Sequence, residues 1–390
     1  MISVAAALSE LFALVAPLDH EMVPLVRAHG RILGKDVTAI RAQPPFAASA
    51  MDGYAIDGGE TDQGTTFRVI GEAAAGHRFK GTVQAGEAVR IFTGAPLPDG
   101  TNHVVIQENV TRSRDMITIT AGPNTDAYVR PAAADFNADY VLQAPRQLSP
   151  ADIALLAAMN IDKVPVVRKP DVAIIATGDE LVQPGETPDA DQIIASNSYG
   201  LAALIDTLGG QARLLPIARD NAAALTLAFD LAKDADLIIT IGGASVGDHD
   251  LVADVAKTQG LARSFYKVAM RPGKPLMAGK IGRSAMIGLP GNPVSAMVCG
   301  HVFVAPVLRK MLGCGETPAP RQTATLGHAI ATNGPREHYM RARVQDGKVT
   351  VFERQDSALL SVLSQANCLA IRPKDDPARG AGDQIEIIRL

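Results

Sequence analysis

The stretch TIGGASVGDHD (residues 240–250) combines glycines with two aspartates in one loop. Gly242 and Gly243 would let backbone N–H groups approach an anion closely, and Asp250 starts a predicted helix whose positive end favours an anion. Carboxylates beside a phosphate are reasonable if a divalent cation such as Mg²⁺ bridges the two groups. They are also reasonable against a heterocycle rich in N–H donors, because a carboxylate accepts two parallel hydrogen bonds. The loop therefore indicates a phosphorylated ligand with a donor-rich ring and a metal.

Further polar residues follow neighbouring apolar runs, in the segments TGDEL (177–181), ARD (218–220) and LPGNP (289–293). If these runs are parallel strands, their carboxyl ends share one rim, where ligands of open α/β sheets bind. Glu180 and Asp220 would then join Asp248 and Asp250. The stretch YKVAMRPGKP adds three basic residues to the rim, Lys267, Arg271 and Lys274.

Each of these residues also has a structural alternative. Asp220 and Asp250 could cap helices, and the pair 179–180 could form a solvated turn. Gly242 and Gly243 could serve only a tight turn. The three basic residues could form a solvated edge. Loop composition alone does not decide between these alternatives or identify the ligand.

Several other chemistries find little support. The glycine-rich loop lacks the lysine of GxxxxGK[ST], so a P-loop nucleotidase is not indicated. Ser245 lies in GASVG, but neither the immediate helix nor the histidine partner of a hydrolase elbow is evident. The histidines show no HExxH spacing, which argues against a histidine-based zinc site. Three distant cysteines without CxxC spacing argue against a disulfide framework and fit a reducing compartment.

Composition restricts the class of protein. The 390 residues include 37 basic and 41 acidic side chains, a net charge of −4, which argues against a general nucleic-acid binder. The apolar N-terminus is interrupted by Glu10 and lacks a basic region, so it predicts an amphipathic helix rather than a signal peptide. No uninterrupted apolar run reaches the roughly 18 residues that span a bilayer. We expect a cytoplasmic protein that binds neither nucleic acid nor membrane.

The rim residues need a sheet to position them, and residues 170–316 supply one. Apolar strands such as DVAIIAT and DLIITI alternate there with helices, which predicts a parallel sheet covered on both faces. The first predicted helix starts near Ser196 or Asn197 and stops at Gly209. Three more helices are predicted at about 220–233, 250–259 and 293–312.

The rest of the chain predicts three further parts. Residues 45–137 alternate short β-type runs with Gly, Pro and Asp turns, as an inserted β module does. Residues 1–44 and 138–169 are each too short to bury a core, so we expect them to pack together as one elongated linker domain. Residues 317–390 predict a small β barrel.

Seven motifs, in order, resemble the molybdopterin molybdotransferase family, which includes bacterial MoeA and the gephyrin E domain. They are SAMDGYAI, IFTGAPLPDGTNHVVIQEN, IIATGDEL, SNSYGL, GGASVGDHD, KVAMRPGKP and GLPGNPVSA. The resemblance implies a MogA-like, molybdopterin-binding α/β domain and a homodimer whose active cleft lies between this domain and the partner's β module. It also implies the reaction: molybdate enters adenylylated molybdopterin, and Mg²⁺-dependent release of AMP gives the molybdenum cofactor.

The resemblance assigns roles by motif position. The implied catalytic residues are Asp52, Thr93, Asp135, Glu180, Asp220, Asp250, Lys267, Arg271 and Lys274. Of these, Glu180, Asp220 and Asp250 would hold the metal. The implied cofactor-binding residues are Gly178, Gly242, Gly243, Ser245, Gly247, Pro290, Asn292 and Pro293. Arg341, Ser361 and Ser364 match the family weakly.

Two departures from the family pattern keep other functions open. Ala47 and Ala48 stand where the family has an Asp-Asn pair, and VRPAAADF keeps only Arg130 of an arginine-rich segment. A non-catalytic or degenerate paralogue that binds cofactor or acts as a scaffold is therefore one alternative. A molybdopterin adenylyltransferase, which the family also implies as a partner, is another. The β module and the barrel argue against the latter, because that enzyme resembles the α/β domain alone.

Overall fold

The computed structural model describes residues 1–59, 61–122, 126–243 and 251–390. Its contacts divide the chain into two compact units. The first contains residues 1–21, 30–34 and 165–390, and the second contains residues 22–29 and 35–164. Each unit is described by itself below.

The chain begins with an amphipathic helix, as predicted. Helix α1 (Val4–Leu14) starts at Ser3, whose hydroxyl accepts a hydrogen bond from the Ala6 N–H at 3.1 Å. Its buried face, with Leu8, Leu11 and Phe12, packs into the main core of the first unit. Three short strands follow: β1 (His20–Pro24), β2 (Ile32–Leu33) and β3 (Val37–Thr38).

The second unit is built around a six-stranded sheet, which agrees with the predicted β module. The strands of this region are β4 (Ala48–Ser49), β5 (Gly53–Ile56), β6 (Thr66–Ala73), β7 (Glu87–Ile91), β8 (His103–Ile106), β9 (Val110–Ser113), β10 (Met116–Ile119) and β11 (Val129–Arg130). The sheet order is β8-β5-β7-β6-β10-β9, and β11 pairs separately with β4. Apolar clusters cover both faces, with Tyr54 and Ile56 on one and Ala55 and Val89 on the other.

The segment after the module is short and well capped. It contains β12 (Val141–Leu142), β13 (Arg146–Gln147), α2 (Pro150–Ala158) and β14 (Lys163–Val167). Ser149 and Asp152 form a reciprocal capping box at the start of α2, and Pro150 occupies the first helical position. Strand β12 pairs with β3, so the segments before and after the module do meet within the second unit.

The α/β region of the first unit carries a second six-stranded sheet. Its strands and helices are β15 (Asp171–Ala176), β16 (Leu181–Val182), β17 (Ile193–Ile194), α3 (Asn197–Thr207), β18 (Gln211–Leu214), α4 (Ala222–Ala232), β19 (Leu237–Ile241), α5 (Leu251–Thr258), β20 (Ala262–Tyr266), β21 (Met270–Arg271), β22 (Met277–Ile281), β23 (Ser284–Leu289), α6 (Pro293–Cys299) and α7 (Ala305–Met311). The sheet order is β18-β15-β19-β23-β22-β20. Buried side chains on both faces form two separate cores.

The predicted parallel core is confirmed, and the structure adds an antiparallel strand to it. Strands β18, β15, β19 and β23 are mutually parallel, whereas β22 runs antiparallel to β23 through the turn at 282–283. The apolar run SFYKVAM (264–270) is divided between β20 and β21. An apolar run indicates burial on two faces but not strand direction, so the sequence could not distinguish β22 from a parallel strand.

The helix after β23 is long, as predicted, and it is continuous from Pro293 to Met311. A π-helical turn at Gly300–Val304 separates α6 from α7. Among the described residues this 19-residue helix is the one long and apolar enough to cross a membrane, and 78% of its apolar window is buried inside the protein. Such burial is typical of a core helix.

The C-terminal region is a closed barrel, as predicted. Its elements are β24 (Arg321–Leu326), β25 (Glu337–Gln345), β26 (Lys348–Val351), α8 (Leu360–Leu363), β27 (Cys368–Arg372) and β28 (Gln384–Arg389). The order β25-β26-β24-β28-β27 closes because β27 also pairs with β25. Strand β21, which comes from the α/β region, extends β25 in parallel register, Met270 opposite Glu337 and Arg271 opposite His338.

One histidine of the barrel is buried among cations. His338 is 7% exposed, and Arg271, Arg336, Arg341 and Arg372 act on it electrostatically. Burial in the first place, and these arginines in the second, lower the pKa of His338 from 6.5 to about 4. The side chain is therefore neutral in the folded protein over the whole physiological pH range.

This histidine should make the protein less stable in acid. The unfolded chain binds a proton near pH 6.5 and the folded chain only near pH 4, so stability falls as pH decreases through that window. The free energy of unfolding should decrease from pH 7 to pH 4.5. We expect His338→Gln to reduce that decrease by about 1–3 kcal/mol, measured by urea unfolding at each pH. The matched control is His29→Gln at an exposed position. Parallel stability curves for wild type and His338→Gln would contradict the assignment.

Candidate active site

A cavity of about 630 Å³ lies at the carboxyl ends of the parallel strands in the first unit. Four strand-end segments line it, as the sequence predicted for this rim. The lining residues from these segments are Ala176, Thr177, Gly178, Glu180, Leu181, Asp220, Ile241, Gly242, Gly243, Pro290, Gly291, Asn292 and Pro293. The cavity lies in the size range of small-molecule sites.

Two lining glycines are required by the packing of the backbone. Gly242 has φ +95°, and a Cβ there would stand 2.7 Å from the carbonyl oxygen of Thr177. Gly243 has φ +66°, and a Cβ would overlap the side chain of Val252 on α5. The predicted tight-turn role is thus sufficient to explain both residues. The same bare backbone borders the cavity, where it leaves room for a ligand.

The acidic residues of two loops come together at this cavity. The Asp220 N–H donates to Asp179 Oδ1 at 3.2 Å, and Arg219 Nη1 donates to the Asp179 carbonyl at 2.7 Å. These bonds join the loop after β15 to the loop before α4. Burial raises the pKa of Asp220, and the charges of Asp179 and Glu180 raise it further.

Asp220 is not the cap of α4. The cap is Asn221, whose Oδ1 accepts from the Ala224 N–H at 2.9 Å. Within the part of the chain that the structure describes, no basic group donates a hydrogen bond to the Asp220 carboxylate. The capping alternative is therefore wrong for this residue, whose side chain is exposed at the rim of the cavity.

The donor set suits one kind of cation. Among the described residues, no group of three or more His, Cys, Asp and Glu side chains could hold a metal ion. Glu180 and Asp220 nevertheless both line the cavity, and Mg²⁺ is commonly held by one or two carboxylates together with phosphate oxygens and water. The residues present thus fit a magnesium ion that arrives with a phosphorylated ligand. The third predicted metal residue, Asp250, and its neighbours Ser245, Gly247 and Asp248 lie outside the described residues.

The three predicted bases are not among the residues that line the cavity, although Pro275, next to Lys274, is. Arg271 and Lys274 are exposed, and the Lys267 ammonium lies 5.0 Å from the centre of the Tyr266 ring. The turn holding Lys267 and Lys274 is closed by the Val268 N–H donating to the Lys274 carbonyl at 3.0 Å. The predicted clamp on the ligand stays a prediction.

Two further predicted residues contact each other in the second unit. Thr93 donates from its backbone N–H at 2.7 Å and its hydroxyl at 2.8 Å to Asp52 Oδ1. These hydrogen bonds hold the pKa of Asp52 below its ordinary value. Oδ1 is thereby held by both donors of Thr93.

Asp135 borders a different cavity, of about 560 Å³, also within the second unit. Its lining is largely apolar and includes Pro44, Phe46, Ala48 and Gly94. Arg130 is the basic residue of this lining. The two substituted segments, at 47–48 and 131–134, therefore contribute small apolar side chains next to the cavity.

Sequence reasoning missed part of the lining of the first cavity. Ile193, Ile194, Ser196 and Asn197 border it between β17 and α3. Asn197 Nδ2 donates to the Gly291 carbonyl at 2.7 Å, which joins the start of α3 to the loop before α6. The motif SNSYGL was the available signal: it marks a helix start and belongs to the family resemblance, but neither assigns its residues to the cavity. Ala358, from the barrel, carried no local signal at all.

Comparison with known proteins identifies the family. Residues 2–160 match the MoeA N-terminal region (domain I and II), residues 173–310 a probable molybdopterin binding domain, and residues 323–390 the MoeA C-terminal region (domain IV). The molybdopterin molybdenumtransferase of Nostoc sp. is 36% identical over 400 residues, covering 97% of this chain and 92% of that protein. The chain belongs to the MoeA family. The predicted resemblance and fold class are confirmed.

Two other relatives agree with MoeA membership. The molybdopterin molybdenumtransferase of Haemophilus influenzae is 34% identical over 384 residues, covering 95% of this chain and 94% of that protein. The crystal structure of a molybdopterin biosynthesis moeA protein from Pyrococcus horikosii has a TM-score of 0.88 at 28% identity, covering 100% of this chain and 99% of that one. The MoeA architecture therefore extends over the whole chain.

The raised pKa of Asp220 predicts a stability effect. The raised pKa means that the ionised carboxylate destabilises the fold above the folded pKa, and that this cost disappears as pH falls below the unfolded value of 3.8. We expect Asp220→Asn to raise the Tm at pH 7.5, measured by differential scanning fluorimetry. The advantage over wild type should shrink below pH 4. Asp230→Asn, at an exposed position on α4, is the control and should change the Tm little. A lower Tm for Asp220→Asn at pH 7.5 would refute this interpretation.

Proposed function

We propose that this chain is a molybdopterin molybdenumtransferase, which inserts molybdate into adenylylated molybdopterin with Mg²⁺-dependent release of AMP. Membership of the MoeA family supports the proposal, as do the names of its relatives in Nostoc and Haemophilus influenzae. The observation that carries it is that two carboxylates, Glu180 and Asp220, line one cavity that is also bordered by bare glycine backbone. Such a site favours a cation that comes with a phosphorylated ligand.

The proposed chemistry needs no covalent nucleophile on the protein. An oxygen of molybdate or water forms a bond to the adenylyl phosphorus, and the phosphoanhydride P–O bond breaks with its electron pair leaving on the molybdopterin phosphate. Both dithiolene sulfurs bond to molybdenum as one Mo–O bond breaks, and molybdenum stays Mo(VI). The displaced oxygen leaves in AMP when molybdate attacks, or as water with the two protons released when water attacks. Glu180 and Asp220 would hold Mg²⁺, which supplies positive charge to the phosphate oxygens. The chain's own contribution is to position the reacting groups and to stabilise developing negative charge.

We assign the remaining predicted residues as part of the same proposal. Lys267, Arg271 and Lys274 would stabilise the oxyanions that develop as the phosphoanhydride breaks. Pro290 and Pro293 would shape the side of the pocket that takes the pterin, and Gly242 and Gly243 the side that takes phosphate. Asp52, Thr93 and Asp135 would act from a second copy of the chain, in a homodimer whose cleft is shared.

The division into four domains and the supply of substrate belong to the proposal too. Residues 1–44 with 138–169, 45–137, 170–316 and 317–390 would be the linker domain, the β module, the molybdopterin-binding domain and the barrel. A molybdopterin adenylyltransferase would supply the adenylylated substrate. The cytoplasm is the compartment where we expect this exchange to occur.

A degenerate paralogue is the second candidate, because one observation favours it. Besides Gln43 and Asp135, the cavity of the second unit is lined by apolar side chains and a single arginine, and the alanines of 131–134 stand where the family pattern is rich in arginine. Fewer charges would weaken the hold on an oxyanion. Such a protein would bind molybdopterin nucleotide without turning it over.

The test is AMP release from adenylylated molybdopterin in the presence of molybdate and Mg²⁺. We expect the wild type to release AMP. In the double variant Glu180→Gln, Asp220→Asn the rate of AMP release should fall roughly 10²- to 10³-fold, because the charge that holds the cation against the phosphates is removed. Asp230→Asn is again the control. Equal turnover of the double variant and wild type would exclude the proposed metal role. Tight binding of the adenylylated substrate without AMP release would identify the degenerate paralogue, and ATP-dependent adenylylation of molybdopterin would identify the adenylyltransferase.

A further inference from the structure

A loop of the C-terminal barrel forms one wall of the active-site cavity. Ala358, in the loop between β26 and α8, lines the cavity, and the carbonyl of the preceding Ser357 accepts a hydrogen bond from the Val294 N–H at 3.0 Å. Val294 belongs to the first turn of α6, where backbone N–H groups have no acceptor inside the helix. The barrel loop therefore satisfies a helix-end donor next to Asn292 and Pro293, which line the same cavity.

One carboxamide holds this loop to the barrel. Gln355 Oε1 accepts from the backbone N–H of Arg341 at 3.0 Å and from its Nε at 3.3 Å. Gln355 Nε2 donates to the carbonyls of Arg341 at 3.0 Å and Phe352 at 2.6 Å. All four hydrogen-bonding positions of the side chain are thus used. A carboxamide in this position fixes the start of the loop against strand β25.

The arginine within this arrangement depends on the loop. The Arg341 side chain is 1% exposed, and no carboxylate pairs with it in the described ranges. Besides Gln355, its partner is the carbonyl of Asp356, which accepts from Nη1 at 2.7 Å. Burial lowers the pKa of Arg341. A buried cation without an ion pair is costly unless its donors are satisfied, so loop residues 355–356 and the guanidinium stabilise each other.

The loop continues from this point to the cavity in a tight turn. Asp356 Oδ1 accepts a hydrogen bond from the Ala358 N–H at 2.8 Å. This bond fixes Asp356 and Ser357, the two residues that follow Gln355. The contacts form an unbroken series from β25 through Gln355, Asp356 and Ser357 to the first turn of α6. Hydrogen bonds hold the loop at both ends, and the covalent chain of residues 355–357 connects them.

We propose that Gln355 is a positioning residue for the active site: its carboxamide, together with Arg341, sets the 355–358 loop as a wall of the cavity against the start of α6. The kinetic test of this inference rests on the proposed molybdenumtransferase function. The role of Gln355 in holding the loop does not, and it can be tested without any reaction. Because Gln355 does not line the cavity, the loop should affect how substrate is held rather than the bond-breaking step.

The chain offers a matched control on the same strand. Asn367 Oδ1 accepts from the Val344 N–H at 2.8 Å, and Asn367 Nδ2 donates to the Val344 carbonyl at 2.9 Å. This is the same two-way clasp of an amide side chain on the backbone of β25, at a residue that does not line the cavity. Gln355→Met and Asn367→Leu each remove the hydrogen bonds while keeping a side chain of similar size.

The first measurement uses the ligand-free full chain and follows amide hydrogen exchange. In Gln355→Met we expect protection of the Val294 amide and of residues 356–359 to fall about tenfold or more, because the carbonyl of Ser357 is no longer held in place. In Asn367→Leu these amides should keep wild-type protection, even if the Tm decreases. Unchanged protection of Val294 in Gln355→Met would overturn the proposal.

The second measurement separates binding from turnover in the AMP-release assay. We expect Gln355→Met to raise the KM for adenylylated molybdopterin about five- to tenfold with kcat within about twofold of wild type, and Asn367→Leu to change neither. Gln355→Glu, which keeps the acceptor half of the clasp, should give an intermediate KM and serves if the methionine variant does not fold. A KM unchanged in both Gln355 variants would overturn the proposal. Absence of AMP release in the wild type would defeat the proposed function only, and the exchange experiment would then decide the role of Gln355.

Discussion

The placement of like charges at the strand ends of the parallel sheet is the constraint on which the site depends. Asp179, Glu180 and Asp220 are brought together by two loops, and the hydrogen bond from the Asp220 N–H to Asp179 keeps them together despite their repulsion. A fold that only needed to be stable would place a cation or a neutral residue there. The surrounding packing, with glycines at 242 and 243 and the Asn197–Gly291 bond, holds the loops so that this repulsion does not separate them.

The parts of the fold that sequence could predict are those set by local pattern. The buried strands β15, β19 and β23 are continuous apolar runs, and helix α3 begins at Asn197, where its start was predicted. The antiparallel direction of β22 could not be predicted, because a strand's apolar pattern is the same in either direction. The observed cap of α4 is Asn221. The sequence did not distinguish it from its neighbour Asp220, because both residue types cap helices equally well and boundaries shift by one residue.

The site was predictable only where its residues follow a strand directly. Glu180, Asp220 and the two glycines could be grouped from the rule that strand ends share a rim. Ala358 and Gln355 act from the barrel, and nothing in their local sequence distinguishes them from other loop residues. Their role depends on tertiary contacts with Val294 and Arg341. The two bases Arg271 and Lys274 illustrate the converse: a basic run near the rim in sequence does not guarantee side chains in the cavity lining.

Strand β21 links the α/β region to the barrel by backbone hydrogen bonds, independently of the chain that connects them. This two-residue strand belongs to the α/β region by its place in the chain, yet it extends the barrel sheet by pairing with β25. The Ser357–Val294 bond is a second backbone link between the same regions. A proteolytic nick in the connection between α7 and β24 would therefore leave two fragments that remain associated under native conditions and separate only in denaturant. We therefore expect the wall of the cavity to stay in place without covalent continuity at that connection.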